Sequence, residues 1–293
     1  MNHSHIKAEF HYFGGPFFSF YIADTGSQVL MELGISQIVP HLKKTVERTL
    51  GRFDPGWLTG MHSHYDHVGG APRLKGMFPA ARLAGSAATD TALRDESLAP
   101  VYARTMESLN DNPLFSRVYP DADGEVVFRA SGMDVILKEG DAVPLGGGDS
   151  LLVLETPGHS ACSISLFHEA TRTLFASDAC GVPLPSGRIW ITGFQSLALF
   201  GQSLQRFLSL EPEALCPGHV PPFRGKSAVR YLERALKVTD SFRNHVAELV
   251  GKHRGADAAV DALMKEYEDD LPFLQPGIFR YGCLEMVRQF ARD

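Results

Sequence analysis

No stretch of 18 uncharged apolar residues occurs in the chain, and its opening, Met1-Asn2-His3-Ser4-His5-Ile6-Lys7, has neither a basic stretch nor an apolar one. Neither a membrane span nor an export signal is therefore expected. Cysteine is scarce: Cys162, Cys180, Cys216 and Cys283 form no Cys-x-x-Cys pair, which argues against a disulfide framework and a structural zinc knuckle and makes a reducing cytoplasm the expected compartment. There is no basic cluster. The 28 Lys and Arg are scattered among 34 Asp and Glu, for a formal charge of -6, so no nucleic-acid groove is expected. Internal repeats and low-complexity segments are absent too, which sets solenoids and linkers aside. What remains is ordinary globular material. With 44% hydrophobic and 21% charged residues over 293 positions, the chain suits one large domain with an appendage.

Residues 17–23 and 28–33 are two β-rich runs around Asp24-Thr25-Gly26-Ser27, and they predict a hairpin. Helical spacing over 41–50, closed by Gly51, precedes a short apolar strand at 56–61. The stretch 70–115 reads as mostly helical. Strands are expected at 134–138, 151–154, 163–167 and 173–176. Sheets covered by helices follow from that mixture. After Pro221-Pro222 the pattern changes: Ser227 is the expected cap of a long amphipathic helix through Leu249. Two more helices are expected near 257–268 and 282–291, around an apolar loop at 271–279. The chain therefore divides into 1–225 and a helical appendage at 226–293.

The chemistry-bearing residues follow expected strands. The loop after 56–61 reads His62-Ser63-His64-Tyr65-Asp66-His67-Val68-Gly69-Gly70, with four potential metal ligands in six positions. His159 stands in Thr156-Pro157-Gly158-His159-Ser160, Asp178 ends the 173–176 strand, and His219 closes Cys216-Pro217-Gly218-His219. A strand end is where a rigid scaffold can hold a metal to the geometry it requires. Cys180 and Cys216 lie near these ligands but read as small core residues. Trp190, Phe194 and Phe279 read by composition alone as core, His168, His245 and His253 as surface, and Arg224, Lys226 and Arg280 as solvated cations.

In this order, His62-x-His64-x-Asp66-His67, His159, Asp178 and His219 resemble the metallo-β-lactamase superfamily. The resemblance implies an α/β fold, an αββα sandwich with the C-terminal helical appendage as a lid, and two divalent metal ions, iron, manganese or zinc, at one edge. One ion would take His62, His64 and His159, the other Asp66, His67 and His219, with Asp178 bridging them. Two cations so ligated would lower the pKa of a bridging water toward neutrality, giving a hydroxide nucleophile, with Asp66 and Asp178 as the catalytic acids of the site. His64 stands where the flavin-dependent redox branch has an acid, and Asp178 where true lactamases have a cysteine, so both branches are set aside. A thioester suits this site because a thiol of pKa about 8.5 leaves with little protonation.

The whole chain is similar to the quinolone signal-response thioesterases. The likeness is carried by the hairpin, by Tyr65 in the motif, by the helical tail, and by Phe273-Leu274-Gln275-Pro276-Gly277 with Gly282-Cys283. It implies a small-molecule acyl thioester like 2-aminobenzoylacetyl-CoA, hydrolysed in alkylquinolone signal biosynthesis, and a pocket lined by Tyr65, Val182, Phe194, Phe279 and Cys283. Val182 and Cys283 depart from that family, which has an acid and a serine there. The alternatives are a glyoxalase II (hydroxyacylglutathione hydrolase) or an acylhomoserine lactonase, which share the seven ligands, and a binding protein for a LuxR-type transcriptional regulator. The resemblance also leaves a homodimer through the long helix open.

Overall fold

The computed structural model describes residues 1–7, 9–253, 255–270 and 276–291. The first sheet runs in the order β1 (Asn2–Lys7), β2 (Phe10–Gly14), β3 (Ser19–Asp24), β4 (Gln28–Met31), β5 (Pro55–Thr59), β6 (Arg82–Ser86) and β7 (Val135–Leu137). Pairing is antiparallel from β1 to β4 and parallel from β4 to β7. Parallel neighbours need crossovers, and helices α1 (Val39–Leu50), α2 (Tyr65–Val68), α3 (Ala71–Met77), α4 (Ala87–Arg94), α5 (Ala99–Glu107) and α6 (Pro113–Val118) lie in those connections. Gly51 adopts the left-handed conformation, φ 78°, that closes α1.

The second sheet begins with β8 (Ala142–Gly146), β9 (Asp149–Glu155), β10 (Ile164–His168) and β11 (Thr173–Ser177). A short ribbon of β12 (Val182–Pro183) and β13 (Ile189–Trp190) and helix α7 (Leu197–Ser209) come next in the chain. Strands β14 (Ala214–Pro217) and β15 (Phe223–Arg224) then complete the sheet in the order β15-β14-β11-β10-β9-β8. Helices α8 (Lys226–Lys252), α9 (Ala256–Tyr267) and α10 (Pro276–Arg288) end the fold.

Alternation along the strands builds four layers. In β3, Tyr21 and Ala23 face Phe175 and Val153 of the other sheet, while Phe20 and Ile22 face Val46 of α1 and Phe115 of α6. In the second sheet Leu166 and Phe175 point inward, and Phe167, Leu174 and Ala176 point outward to Phe200, Leu204 and Phe207 of α7. Period-two alternation makes each central strand contribute to two cores. Strands β10 and β11 are buried along their whole length for that reason. Tyr21 Oη ties the sheets together by donating to the Pro217 carbonyl at 2.5 Å. The αββα sandwich is the architecture the resemblance implied.

The C-terminal helices do not carry a core of their own among the described residues. Tyr231, Leu232, Phe242, Val246 and Leu249 of α8 join Val260 and Leu263 of α9 and Met286 of α10 in the same apolar cluster as α7 and the second sheet. Several elements differ from the sequence expectations. Strands β1 and β2 precede the hairpin, β6 interrupts the block expected to be helical, and β8 pairs beside β9. Gly225, not Ser227, occupies the cap position of α8; the Ser227 hydroxyl bonds the Arg224 backbone instead. Helix α10 already begins at Pro276, so 276–279 is helix, and 271–275 lie outside the described residues. His168 is 3% exposed, contrary to the surface expectation, because Asp149 and Thr171 satisfy both ring nitrogens at 2.7 Å.

Candidate metal centre

All seven predicted ligands meet at one edge of the sandwich. His62 and His64 follow β5, Asp66 and His67 stand on the single turn of α2, His159 follows β9, Asp178 follows β11, and His219 follows β14. Close backbone approach shapes both sides of the cluster. A Cβ on Gly70 would lie 2.2 Å from the Leu33 carbonyl, and one on Gly218 would lie 2.1 Å from Asp178 Oδ1.

The imidazole nitrogens converge. His159 Nε2 is 3.1 Å from His62 Nε2 and 2.9 Å from His64 Nδ1, and the last two are 3.1 Å apart. On the other side, Asp178 Oδ2 is 3.2 Å from His219 Nε2, 3.4 Å from His67 Nε2 and 3.6 Å from His159 Nε2. Asp66 Oδ2 is 3.5 Å from His67 Nε2 and 3.7 Å from His219 Nε2. The donors form three groups: His62 with His64 and His159, His62 with His67 and Asp178, and Asp66 with His67 and His219.

The rings are aimed from behind. His159 Nδ1 bonds the Thr192 carbonyl at 2.8 Å, and His219 Nδ1 bonds the Phe17 carbonyl at 2.8 Å. A carbonyl only accepts, so both rings carry a proton on Nδ1 and turn Nε2 into the cluster. His67 Nδ1 meets the buried Glu32 carboxylate at 2.6 Å, and His62 Nδ1 lies 3.3 Å from Ser177 Oγ. Bare lone pairs crowded within about 3 Å repel unless a cation lies between them. His67 Nε2 and Asp178 Oδ1 are buried without a hydrogen-bond partner. Imidazole nitrogens with carboxylate oxygens form the donor set that zinc, iron and manganese accept, so the residues fit divalent metal ions.

Burial lowers the His159 pKa to about 3, with the His64 charge adding to it, and burial likewise holds His62 well below the ordinary value. Neither ring has a proton to lose on meeting a metal at neutral pH. At His219 burial again works downward, but the Asp178 carboxylate outweighs it and raises the pKa to about 9.

The residues that hold the rings were not evident from the sequence. Glu32 and Ser177 occupy the left-handed side of backbone space, φ 66° and 49°, a strained state for residues with side chains that concentrates at functional sites. Glu32 directly follows the apolar run of β4, the one sequence signal that could have singled it out.

Among the pocket expectations, Phe194 stands beside the cluster, its ring 5.2 Å from that of His159 and 6.4 Å from that of His64. Tyr65, half-buried, follows His64 and packs on the first helical layer. Val182 is half-buried in the ribbon. Phe279 is almost wholly buried and stands edge-on to Trp190 at 5.4 Å. Cys283 has no exposed surface and packs in the core beneath the C-terminal helices. The structure brings Phe194 and Tyr65 to the metal ligands and places Phe279 and Cys283 among core side chains. Cys180 and Cys216 are fully buried and belong to none of the donor groups. Arg280 pairs with Asp257 and Asp261, and Arg224 bonds Ser4 and the His5 carbonyl.

Comparison with known proteins agrees with this geometry. The sequence profile described as the metallo-beta-lactamase superfamily matches residues 62–219, from the first ligand to the last and more than half of the chain. The chain belongs to that superfamily. A hydroxyacylglutathione hydrolase of Methylobacterium sp. (strain 4-46) is 32% identical over 181 residues, 59% of this chain, and the match spans about half of that protein, 52%. A probable metallo-hydrolase of Bacillus subtilis (strain 168) is 25% identical over 69% of this chain and 78% of its own. Among solved structures, a metallo-beta-lactamase family protein from Thermus thermophilus superposes with a TM-score of 0.65 at 19% identity, covering 95% of this chain and 92% of that one. The fold is therefore shared well beyond the matched ligands. No helix among the described residues is long and apolar enough to cross a membrane.

Proposed function

We propose that the chain is a dinuclear metal-dependent thioester hydrolase. The observation that carries this reading is the placement of the Asp178 carboxylate, whose Oδ2 lies within 3.6 Å of His159 on one side and of His67 and His219 on the other. A carboxylate so placed can bridge two ions. Bound there, two divalent ions would supply an activated water and polarise the substrate carbonyl. The chain's own part is to hold three imidazole lone pairs on one side, to hold Asp66, His67 and His219 on the other, and to fix His159, His219 and His67 through Thr192, Phe17 and Glu32. Phe194 stands beside the cluster and offers an apolar surface to an acyl group.

A thioester is favoured because a thiolate departs without a dedicated acid, and Asp66, half-exposed, is the one carboxyl of the cluster open to solvent. The hydroxyacylglutathione hydrolase relative supports cleavage of a thioester bond; within that class we favour an aromatic β-ketoacyl-CoA like 2-aminobenzoylacetyl-CoA and keep hydroxyacylglutathione as the alternative. A thiol-release assay over an acyl-CoA panel, a hydroxyacylglutathione and an acylhomoserine lactone tests the reading. Release of coenzyme A supports it and release of glutathione alone moves the chain to the alternative. Lactone opening without thioester cleavage overturns the thioester class. Co-purification of an Asp178→Asn variant with a LuxR-type regulator would show the separate binding role.

A further inference from the structure

Cys162 stands three residues beyond His159, between β9 and β10, and is 6% exposed. A buried free cysteine commonly fills a small apolar gap. Cys180 fits that description: its thiol reaches carbonyls only at 3.5 and 3.8 Å. Cys162 is engaged differently. The Ser63 backbone N–H donates to its sulfur at 3.2 Å, the thiol donates to Ser63 Oγ at 3.2 Å, and Ser160 Oγ lies 3.1 Å from the same sulfur. Both the donor and the acceptor capacity of a thiol are in use.

The partners are adjacent to metal ligands in sequence. Ser63 lies between His62 and His64, and Ser160 follows His159 directly. The three imidazoles that converge within 2.9–3.1 Å therefore come from two loops, and one sulfur atom joins those loops one residue away from each ligand. The junction is itself held. Ser160 Oγ meets Ser163 Oγ at 2.7 Å, Ser86 Oγ donates to the Cys162 carbonyl at 2.8 Å, and Tyr102 Oη donates to the Ser63 carbonyl at 2.6 Å.

We infer that Cys162 is a positioning residue for the three-histidine metal site, a clasp whose thiol fixes the spacing of the His62-Ser63-His64 loop relative to His159. The inference rests on the metal-hydrolase reading and adds to it a residue that touches neither metal nor substrate. A clasp of this kind acts on ion affinity, because binding to a preset triangle of lone pairs needs no ordering of the loops. Serine can keep both hydrogen bonds at that position and alanine can keep neither.

The test is a zinc titration of chelator-stripped protein against a chromogenic competitor, with melting temperatures of the stripped proteins recorded alongside. Cys162→Ala is expected to weaken one of the bound ions by roughly 10-fold, the usual scale for loss of an outer-shell partner, and to leave the other unchanged. Cys162→Ser should stay close to the wild type, and Ser160→Ala, which removes one of the three contacts, should fall between. A purely structural cysteine would instead lower the melting temperature of the stripped protein and leave ion-specific affinity alone, and that result overturns the clasp. So does a wild-type protein that loads normally beside a Cys162→Ala variant of equal affinity. A wild-type protein that takes up no metal overturns the metal-centre reading and the clasp with it. If Cys162→Ala does not fold, Ser160→Ala decides: an unaltered affinity there overturns the clasp.

Discussion

Replacing Glu32 with Gln removes the charge that aims His67 into the cluster. The carboxylate and imidazole are 2.6 Å apart, with side chains only 3% and 2% exposed, so bulk water does little to screen the contact. A hydrogen bond to a charged group in such surroundings is worth about 1.5–3 kcal/mol, which corresponds to roughly a 10- to 100-fold change in the affinity of an ion that His67 ligates. Gln keeps an acceptor at the same reach, so Glu32→Gln belongs near the lower figure. Glu32→Ala, which leaves a buried N–H unpaired, belongs near the upper. Ion counting by mass spectrometry of the native protein, with competition by a chelator, reads the effect directly. The ion held by His62, His64 and His159 is the internal control, since Glu32 touches none of those rings. A Glu32→Gln protein that retains both ions at unchanged affinity, or that loses the three-histidine ion first, refutes the assignment.

Asp178→Asn removes the carboxylate that faces His159 on one side and His67 and His219 on the other, and loss of at least one ion with a fall in hydrolysis by orders of magnitude is expected; two retained ions and normal turnover would sink the dinuclear reading. Cys180→Ser, outside the donor groups, should change neither quantity. Loading should also be proton-linked in one site only: His62 and His159 are held low by burial, whereas His219, raised to about 9, and His67, raised well above its ordinary value because burial is outweighed by the Glu32 and Asp178 carboxylates, must each give up a proton when a cation arrives at neutral pH. In a pH-stat the first ion is expected to release little acid and the second more; equal release in both steps contradicts it. Cys283→Trp forces a bulky ring into a side-chain position with no exposed surface, so a loss of about 1–3 kcal/mol in stability is expected from overpacking; an unshifted melting temperature with lost hydrolysis would instead place Cys283 on a substrate cavity.

The seven ligands were legible because the requirement they meet is local. A metal needs specific atoms at strand ends, and His62, His64, Asp66 and His67 fall within six positions of one another. The residues behind them were not, since Glu32, Thr192 and the Phe17 carbonyl reach their rings from distant parts of the chain and carry no spacing of their own. Among the strands, β10 and β11 stood out as apolar runs. By contrast β1, with His3 and His5 on an exposed edge, and β6, embedded among helices, lacked an apolar pattern strong enough to outweigh their neighbours. Cap geometry was misread at Ser227 because the serine hydroxyl turns back to Arg224, leaving Gly225 at the turn. The pocket expectations for Phe279 and Cys283 rested on likeness alone, and burial is a property of packing that likeness does not report.

The division of labour within the fold follows from which elements deliver which atoms. Every ligand comes from a strand end or the turn after it within residues 62–219, the span the superfamily profile matches. Helix α10 lies outside that span, yet it reaches the site through Phe194. A Cβ on Gly282 would come within 2.9 Å of the Phe194 ring, and Gln289, just past the helix, donates to the Gly193 and Phe194 carbonyls and accepts from the Leu197 N–H at 2.7 Å. The segment that carries Phe194 beside His159 is thus pinned by the C-terminal helices, while Thr192, two residues earlier in the chain, orients His159 itself. The ligand geometry is fixed by the sandwich, and the placement of Phe194 next to it is set by α10 and Gln289. Substitutions in α10 can therefore move Phe194 while leaving the ligand geometry intact.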